Sequence, residues 1–299
     1  GRREEKDWMW GHASRVEKTG RGAILFVGAN HGMGRRQLLA WLREQVRLDG
    51  GLTTLALGHR RHAGQGQGGL CQALLSLLGV AWQGEQVQPD RLRERVLGWR
   101  ALGSGIGARL LEPHHLGAMV NYLSPRSEAV GANVSGASIV PEAMQLDSLL
   151  AELVALAAFE RPILLTVGEL KRAGETSVGF LRELAKRIAE VDAPVMLVVS
   201  YMTVADLELE TSFVFDAIEE IKLAAPSHWE ERTLQPIGGE EFIALLQRLA
   251  PLDEAVALAV ERITGGNPFH ATELVQLLWQ TGELKERGGK LTLAASGSY

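Results

Sequence analysis

Cysteine is nearly absent from this chain: among 299 residues only Cys71 carries a thiol. One thiol excludes an internal disulfide and fits a reducing compartment. A basic excess is missing too, since 31 Lys and Arg against 36 Asp and Glu leave a net charge of −5. Without a basic face there is no electrostatic footprint for nucleic acid, and no direct contact with it is expected. Long hydrophobic runs are also lacking. The longest, Leu146 to Phe159, is interrupted by Asp147, Ser148 and Glu152 and reads as a core helix, too short and polar to span a bilayer. Gly1 to Lys6, GRREEK, is highly charged and is no secretory signal. The expectation is a cytoplasmic protein with no membrane partner. The seven tryptophans are scattered, which favours core and interdomain packing over a platform for stacking bases.

What is present is an ordinary globular balance, 46% hydrophobic and 22% charged, in a chain long enough for one large domain or two smaller ones. It is organised around Ile24 to Leu39, ILFVGANHGMGRRQLL. A short apolar run (Ile24 to Val27) has the length of a buried strand. A glycine-rich loop, Gly28-Ala29-Asn30-His31-Gly32-Met33-Gly34, follows it. Leu38, Leu39, Trp41 and Leu42 then fall at helix spacing. Strand, glycine loop and helix together frame a phosphate-binding loop, with N–H groups presented at a helix start.

The rest alternates. A helix covers Glu4 to Val16, a second strand Leu52 to Leu57, and helices Leu70 to Leu78 and Arg91 to Leu97. From Gly98 to Pro141 the pattern is poor, with short helices near Arg109-Leu111 and Leu116-Leu123. Helix Pro141 to Phe159 precedes a buried strand, Ile163 to Val167. Helix Thr176 to Val191 precedes another, Val195 to Ser200, and strands near Glu220-Leu223 and Arg232-Pro236 complete the sheet. This alternation implies a parallel α/β sheet with helices on both faces. After Gly238-Gly239 only helices remain: Glu240 to Leu249, Asp253 to Ile263 and Pro268 to Gln280. Glu283 to Leu293 reads as a hairpin turning at Gly288-Gly289. Residues 294–299 read as a truncated end. The expected division is an α/β domain over 1–237, a helical domain over 238–282 and the start of a further domain over 283–299.

Histidines offer no metal motif. His59 and His62 sit in a glycine-rich loop without a ligand at suitable spacing. His114 and His115 are adjacent, and neighbours on a helix or strand point different ways. Asn133-Val134-Ser135 matches a glycosylation sequon that has no meaning without secretion.

Six motifs, in order, resemble the ATPase module of the STAND group, the signal-transducing branch of the AAA+ P-loop NTPases. Gly1-Arg2-Arg3-Glu4-Glu5 resembles the GRExE segment that lies near the adenine. GANHGMGRRQLL stands where the Walker A sequence GEAGIGKSRLL is expected. Glu160 to Leu170 occupies the Walker B place. Ala193-Pro194-Val195 to Met202 is similar to the sensor 1 strand. Leu234-Gln235-Pro236-Ile237, followed by Glu240-Glu241, resembles the lead-in to the lid. Gly266-Asn267-Pro268-Phe269 matches the GNPF signature of a lid helix. The resemblance implies a P-loop core, a small helical lid and the start of a winged-helix-like segment. It implies flanking domains or subunits as partners, homo-oligomerisation among them, and a nucleotide site formed by Gly1, Arg2, Ala29, Asn30, His31, Gly32, Met33, Gly34, Arg35, Arg36 and Pro268.

The departures bear on chemistry. In a working P-loop a Lys contacts the β- and γ-phosphates, and a Ser or Thr with the Walker B Asp holds Mg²⁺. Here Arg35 replaces the Lys, a planar fork in place of a point charge. Arg36 replaces the hydroxyl, Gly168 the first acidic residue and Met202 the sensor 1 Arg. The glycine register is also shifted: Ala29 stands at the first glycine position, or the loop is one residue longer. Two groups that meet at one ion are lost together, so no metal is expected. Arg35 and Arg36 would then neutralise the phosphates of ATP or ADP without Mg²⁺. Glu169, the retained second acid, is the one candidate general base; its plainer reading is a solvated carboxylate at a strand end. Pro268 has the plain role of first-turn proline after the cap Asn267. Three functions remain open: a nucleotide-responsive regulatory switch or assembly platform that does not hydrolyse ATP, a scaffold with an empty loop, and a slow ATPase.

Overall fold

The computed structural model describes residues 1–58, 68–79, 88–102, 106–123, 143–168, 170, 173, 175–203 and 211–294. Glu169, His59, His62, Trp82 and the sequon at Asn133 lie outside the described residues, as does most of the end at 294–299.

Five strands form one sheet: β1 (Ala23–Ala29), β2 (Thr53–Gly58), β3 (Ile163–Gly168), β4 (Val195–Met202) and β5 (Trp229–Thr233). Their order is β2-β3-β4-β1-β5, and every neighbouring pair is parallel. The central strands read as unbroken apolar runs because both faces are covered. In β1, Leu25 and Val27 pack on one side with Met9 and Val16 of α1 (Arg3–Thr19) and Leu38 and Leu42 of α2 (Arg35–Asp49). Ile24 and Phe26, alternating with them, face the other side. That side is covered by α3 (Gly68–Leu77), α4 (Pro89–Ala101), α5 (Pro113–Leu123), α6 (Ala143–Glu160), α7 (Glu175–Val191) and α8 (Thr211–Ala224).

One expected strand is overturned. Glu220 to Leu223 belongs to helix α8, and the sheet ends instead on β5. Val214, Ala217, Ile218 and Ile221 are all buried, and that three-to-four spacing is a helix stripe. A short apolar run alone does not distinguish it from a strand. The tryptophans also divide: Trp99 is buried, but Trp279 is 55% exposed and outside any core.

The topology opens a crevice. β1 and β4 are neighbours, yet α2 follows β1 on one face while α8 follows β4 on the other. Their carboxyl ends therefore part, and in such sheets ligands bind at this switch point. Beyond the sheet, α9 (Gly239–Leu249), α10 (Glu254–Thr264) and α11 (Pro268–Gln280) share a third core with a hairpin, β6 (Leu284–Arg287) and β7 (Lys290–Leu293). Phe242, Leu246, Val260 and Leu284 are at its centre. Among the described residues no helix is long and apolar enough to cross a membrane.

Candidate functional site

The glycine segment resolves into two parts. Gly28 and Ala29 are strand residues, paired with Tyr201 and Met202 of β4. A Cβ at Gly28 would lie 2.6 Å from the Thr203 Cγ2 and 2.9 Å from the Tyr201 hydroxyl, so glycine here permits close passage of β4. The loop proper is Asn30 to Gly34, with the left-handed φ values of 81° at Gly32 and 86° at Gly34 that favour glycine. Neither alternative for the register describes it fully: Ala29 ends the strand and Gly28 is not a loop residue.

Every carbonyl of this loop accepts a hydrogen bond. Asn30 O accepts from Met33 N at 3.4 Å, and Gly34 O from Leu38 N at 3.0 Å. Met33 O accepts from the Arg2 guanidinium at 2.9 Å. His31 O accepts from Asn267 Nδ2 at 2.9 Å, and Gly32 O from Phe269 N at 3.3 Å. By contrast, the N–H groups of Gly32, Gly34 and Arg35 donate to no acceptor among the described residues. The N–H groups at a helix start have no partner within the helix and form a ready anion cradle.

A cleft of about 1030 Å³ lies over the loop. His31, Gly32, Met33, Gly34, Arg35 and Arg36 line it, joined by Gly1, Arg2 and Lys6 from the amino-terminal segment and by Pro268 from α11. Ala29 and Asn30, expected in the site, do not line it. Ala29 is fully buried, and the Asn30 side chain accepts from the Thr203 hydroxyl at 2.7 Å. Lys6, Trp41, Tyr201, Phe215 and Thr272 line the cleft without having been singled out by the sequence. Lys6 and Trp41 belong together, the ammonium lying 5.1 Å from the ring centroid. Met202, Val214 and Phe215 give the end near β4 an apolar wall.

The electrostatics are one-sided. Four of the described lining residues are Lys or Arg, and none is Asp or Glu. Arg2 is buried and bonded to Glu5 as well as to the loop. It also adopts a left-handed φ of 69°, uncommon for a residue other than glycine. Arg35 is half-buried and has neither an ion-pair nor a hydrogen-bond partner among the described residues. Burial first, and the Arg36 guanidinium second, push its pKa down from 12.5 to about 10. Tyr201, at the other end, is raised above its ordinary value by burial and by its bond to Glu231.

These residues fit a phosphate-bearing ligand: N–H groups and an Arg35 guanidinium without partners among the described residues, and room for a nucleotide. They do not fit Mg²⁺, which is held through carboxylates. The described lining offers none, and Gly168 ends β3 without a side chain.

The reading of His114 and His115 needs correcting. The two rings stand 4.0 Å apart, and both lie against one Glu112 oxygen, at 3.3 and 3.4 Å. They occupy the first turn of α5, and Glu112, the residue just before the helix, lies against both. Three potential ligands therefore meet here. The positive end of the α5 dipole opposes a cation at that point, and the His115 Nδ1 is already engaged with Arg109 O at 2.8 Å.

Compared with known proteins, the chain matches no protein-family model and gives no significant match to a curated protein. What the structure itself defines is the class: an α/β protein with a parallel five-stranded sheet, compatible with a P-loop-like core.

Proposed function

We propose that this chain is a regulatory nucleotide-binding module, a degenerate STAND-type ATPase domain that binds ATP or ADP without Mg²⁺ and does not turn it over. The observation that carries the reading is the cleft's charge. In a chain of net charge −5, the described wall above a glycine loop holds four cations, of which Arg2 is paired with Glu5, and no carboxylate. Field lines of one sign focused in a cleft favour a ligand of the opposite sign. The uncovered N–H groups of Gly32, Gly34 and Arg35 would take phosphate oxygens, with the Arg35 guanidinium beside them. Lys6, Trp41 and Pro268 give the remaining volume an amphipathic wall suited to a base.

Hydrolysis has little to work with. Two of the groups that would hold the metal are replaced by Arg36 and Gly168, and Met202 supplies no charge. The function left to such a module is to respond to a nucleotide, or to assemble with other domains or subunits, rather than to consume it. The test is calorimetric titration of the chain with ADP and with ATP, in EDTA and then in Mg²⁺. Binding that is equal in both conditions, with no phosphate release, is the expected result. A strict need for Mg²⁺, or no binding of either nucleotide, overturns the proposal.

A further inference from the structure

Three of the five loop carbonyls are held from outside the loop and its helix, two of them by the same short stretch at the start of α11. Asn267 Nδ2 donates to His31 O at 2.9 Å, across 236 residues of chain. Phe269 N donates to Gly32 O at 3.3 Å. The Phe269 ring meets the His31 ring edge-on at 5.1 Å. Contact is tight as well as polar: a Cβ at Gly32 would lie 2.5 Å from Asn267 Oδ1 and 2.7 Å from Phe269 Cβ. Asn267 is 6% exposed and uses both ends of its amide. Its oxygen caps α11 by accepting from Phe269 N at 3.0 Å and His270 N at 3.3 Å, while its nitrogen grips the loop.

A peptide unit is planar and trans, so its C=O and N–H point in opposite directions. Fixing His31 O on Asn267 therefore turns the Gly32 N–H away from α11. Fixing Met33 O on Arg2 turns the Gly34 N–H away from Arg2. Both N–H groups lack a protein acceptor among the described residues, and both glycines line the cleft.

We infer that Asn267 is a positioning residue for the anion-binding loop, one that couples the loop's occupancy to the docking of the α9–α11 unit. This rests on the reading of the cleft as a phosphate site. A phosphate on the Gly32 N–H polarises the same peptide and strengthens its carbonyl as an acceptor for Asn267. By linkage, whatever the lid contact adds to ligand binding, the ligand adds to the lid contact. The sequence points to Asn267 only as a cap; its second, long-range role is visible in the fold alone.

Cap and grip are separable by substitution. Asn267→Ser retains a good capping oxygen but has no donor to reach His31 O. The experiment titrates ADP and inorganic pyrophosphate, both in EDTA, into wild type and N267S. It also follows amide exchange over residues 264–272 with and without ADP. The expected result is a melting temperature of the free protein a few degrees below wild type, from the one grip lost, with about two- to fivefold weaker binding of both probes, the share of that bond which the ligand strengthens. ADP slows exchange over 264–272 in wild type and fails to do so in N267S. If N267S binds as wild type does and keeps the ligand-dependent protection, the coupling is wrong while the phosphate site stands. If wild type binds neither probe, the phosphate site is wrong and the coupling goes with it.

Discussion

Replacing Arg35 by methionine should make the free protein more stable while emptying its site. Arg35 is charged at neutral pH in both folded and unfolded chains. Its folded pKa is pushed down from 12.5 to about 10, by burial and then by Arg36. For a base, a depressed folded value means that the charged form is the one the fold disfavours. The penalty is complete below about pH 10 and fades as the pH rises from there through 12.5. Each pKa unit corresponds to about 1.36 kcal/mol. The guanidinium is only half-buried, and solvent screening reduces the figure to about 1–2 kcal/mol. Methionine keeps the helix propensity and much of the length of the stem without the charge. The free R35M protein should therefore melt roughly 2–5 °C higher than wild type by calorimetry at pH 7.5. The same variant loses charge-assisted bonds to phosphate, so ADP binding should weaken about ten- to hundredfold. The two changes have opposite signs, which separates this account from general damage. A fall in melting temperature would show that the guanidinium has a stabilising partner after all. Unchanged ADP affinity would take Arg35 out of the site.

Other consequences concern the loop and the core. Gly32→Ala should destabilise by about 2–4 kcal/mol, from a left-handed backbone and the loss of two lid hydrogen bonds; amide exchange over α11 should rise with it, and unchanged exchange would contradict the packing at Asn267. Asp147 is 6% exposed, its Oδ1 has no partner among the described residues, and burial raises its pKa from 3.8 to about 6, with Arg182 offsetting part of the shift. A raised carboxyl favours the folded state while protonated, so its contribution falls as the pH climbs from about 4 to 6. Asp147→Asn should remove that slope and add about 1–2 kcal/mol at pH 7.5, read from urea melts at pH 5 and pH 7.5; an identical slope in both proteins would refute it. Gly179→Ala would place a Cβ 1.9 Å from Asp147 Oδ2, and the resulting separation of α6 and α7 should cost about 1–3 kcal/mol in the same melts.

The sheet was legible because its signals are local. Ile24 to Val27, Ile163 to Val167 and Val195 to Ser200 are apolar runs between breakers, and each is a strand buried on both faces. Glu220 to Leu223 misled because four residues are fewer than two helical turns, too few for periodicity to separate helix from strand. The loop's glycines were visible, but not their separate reasons: Gly28 admits Tyr201 and Thr203, while Gly32 and Gly34 supply the left-handed turns. The cleft was only half legible. Lys6, Trp41 and Phe215 reach it from three helices, and no motif in the chain connects positions so far apart in sequence. His114 and His115 show the same limit in reverse. Neighbours on a helix diverge, yet Glu112, just before the first turn of α5, is placed to meet both rings.

The proposal of a binding module, rather than an empty scaffold, turns on what a desolvated cation costs. Most buried charges are paired, and unpaired ones are replaced at little loss where nothing needs them. Arg35 lies half-buried beside Arg36, and among the described residues no carboxylate offsets the Arg35 charge. Arg2 holds the loop from behind in a strained backbone conformation when a glycine would relieve it. Two local rules broken side by side at one glycine loop mark a functional site more often than an accident. An empty loop gains nothing from the Arg35 charge, whereas the Arg2 bond holds the loop either way. A phosphate on the Gly32, Gly34 and Arg35 N–H groups would neutralise the first and use the second as the support that aims the Gly34 N–H. On the proposed reading the same charge arrangement opposes a divalent cation, so the feature that would remove hydrolysis is the one that would retain the anion.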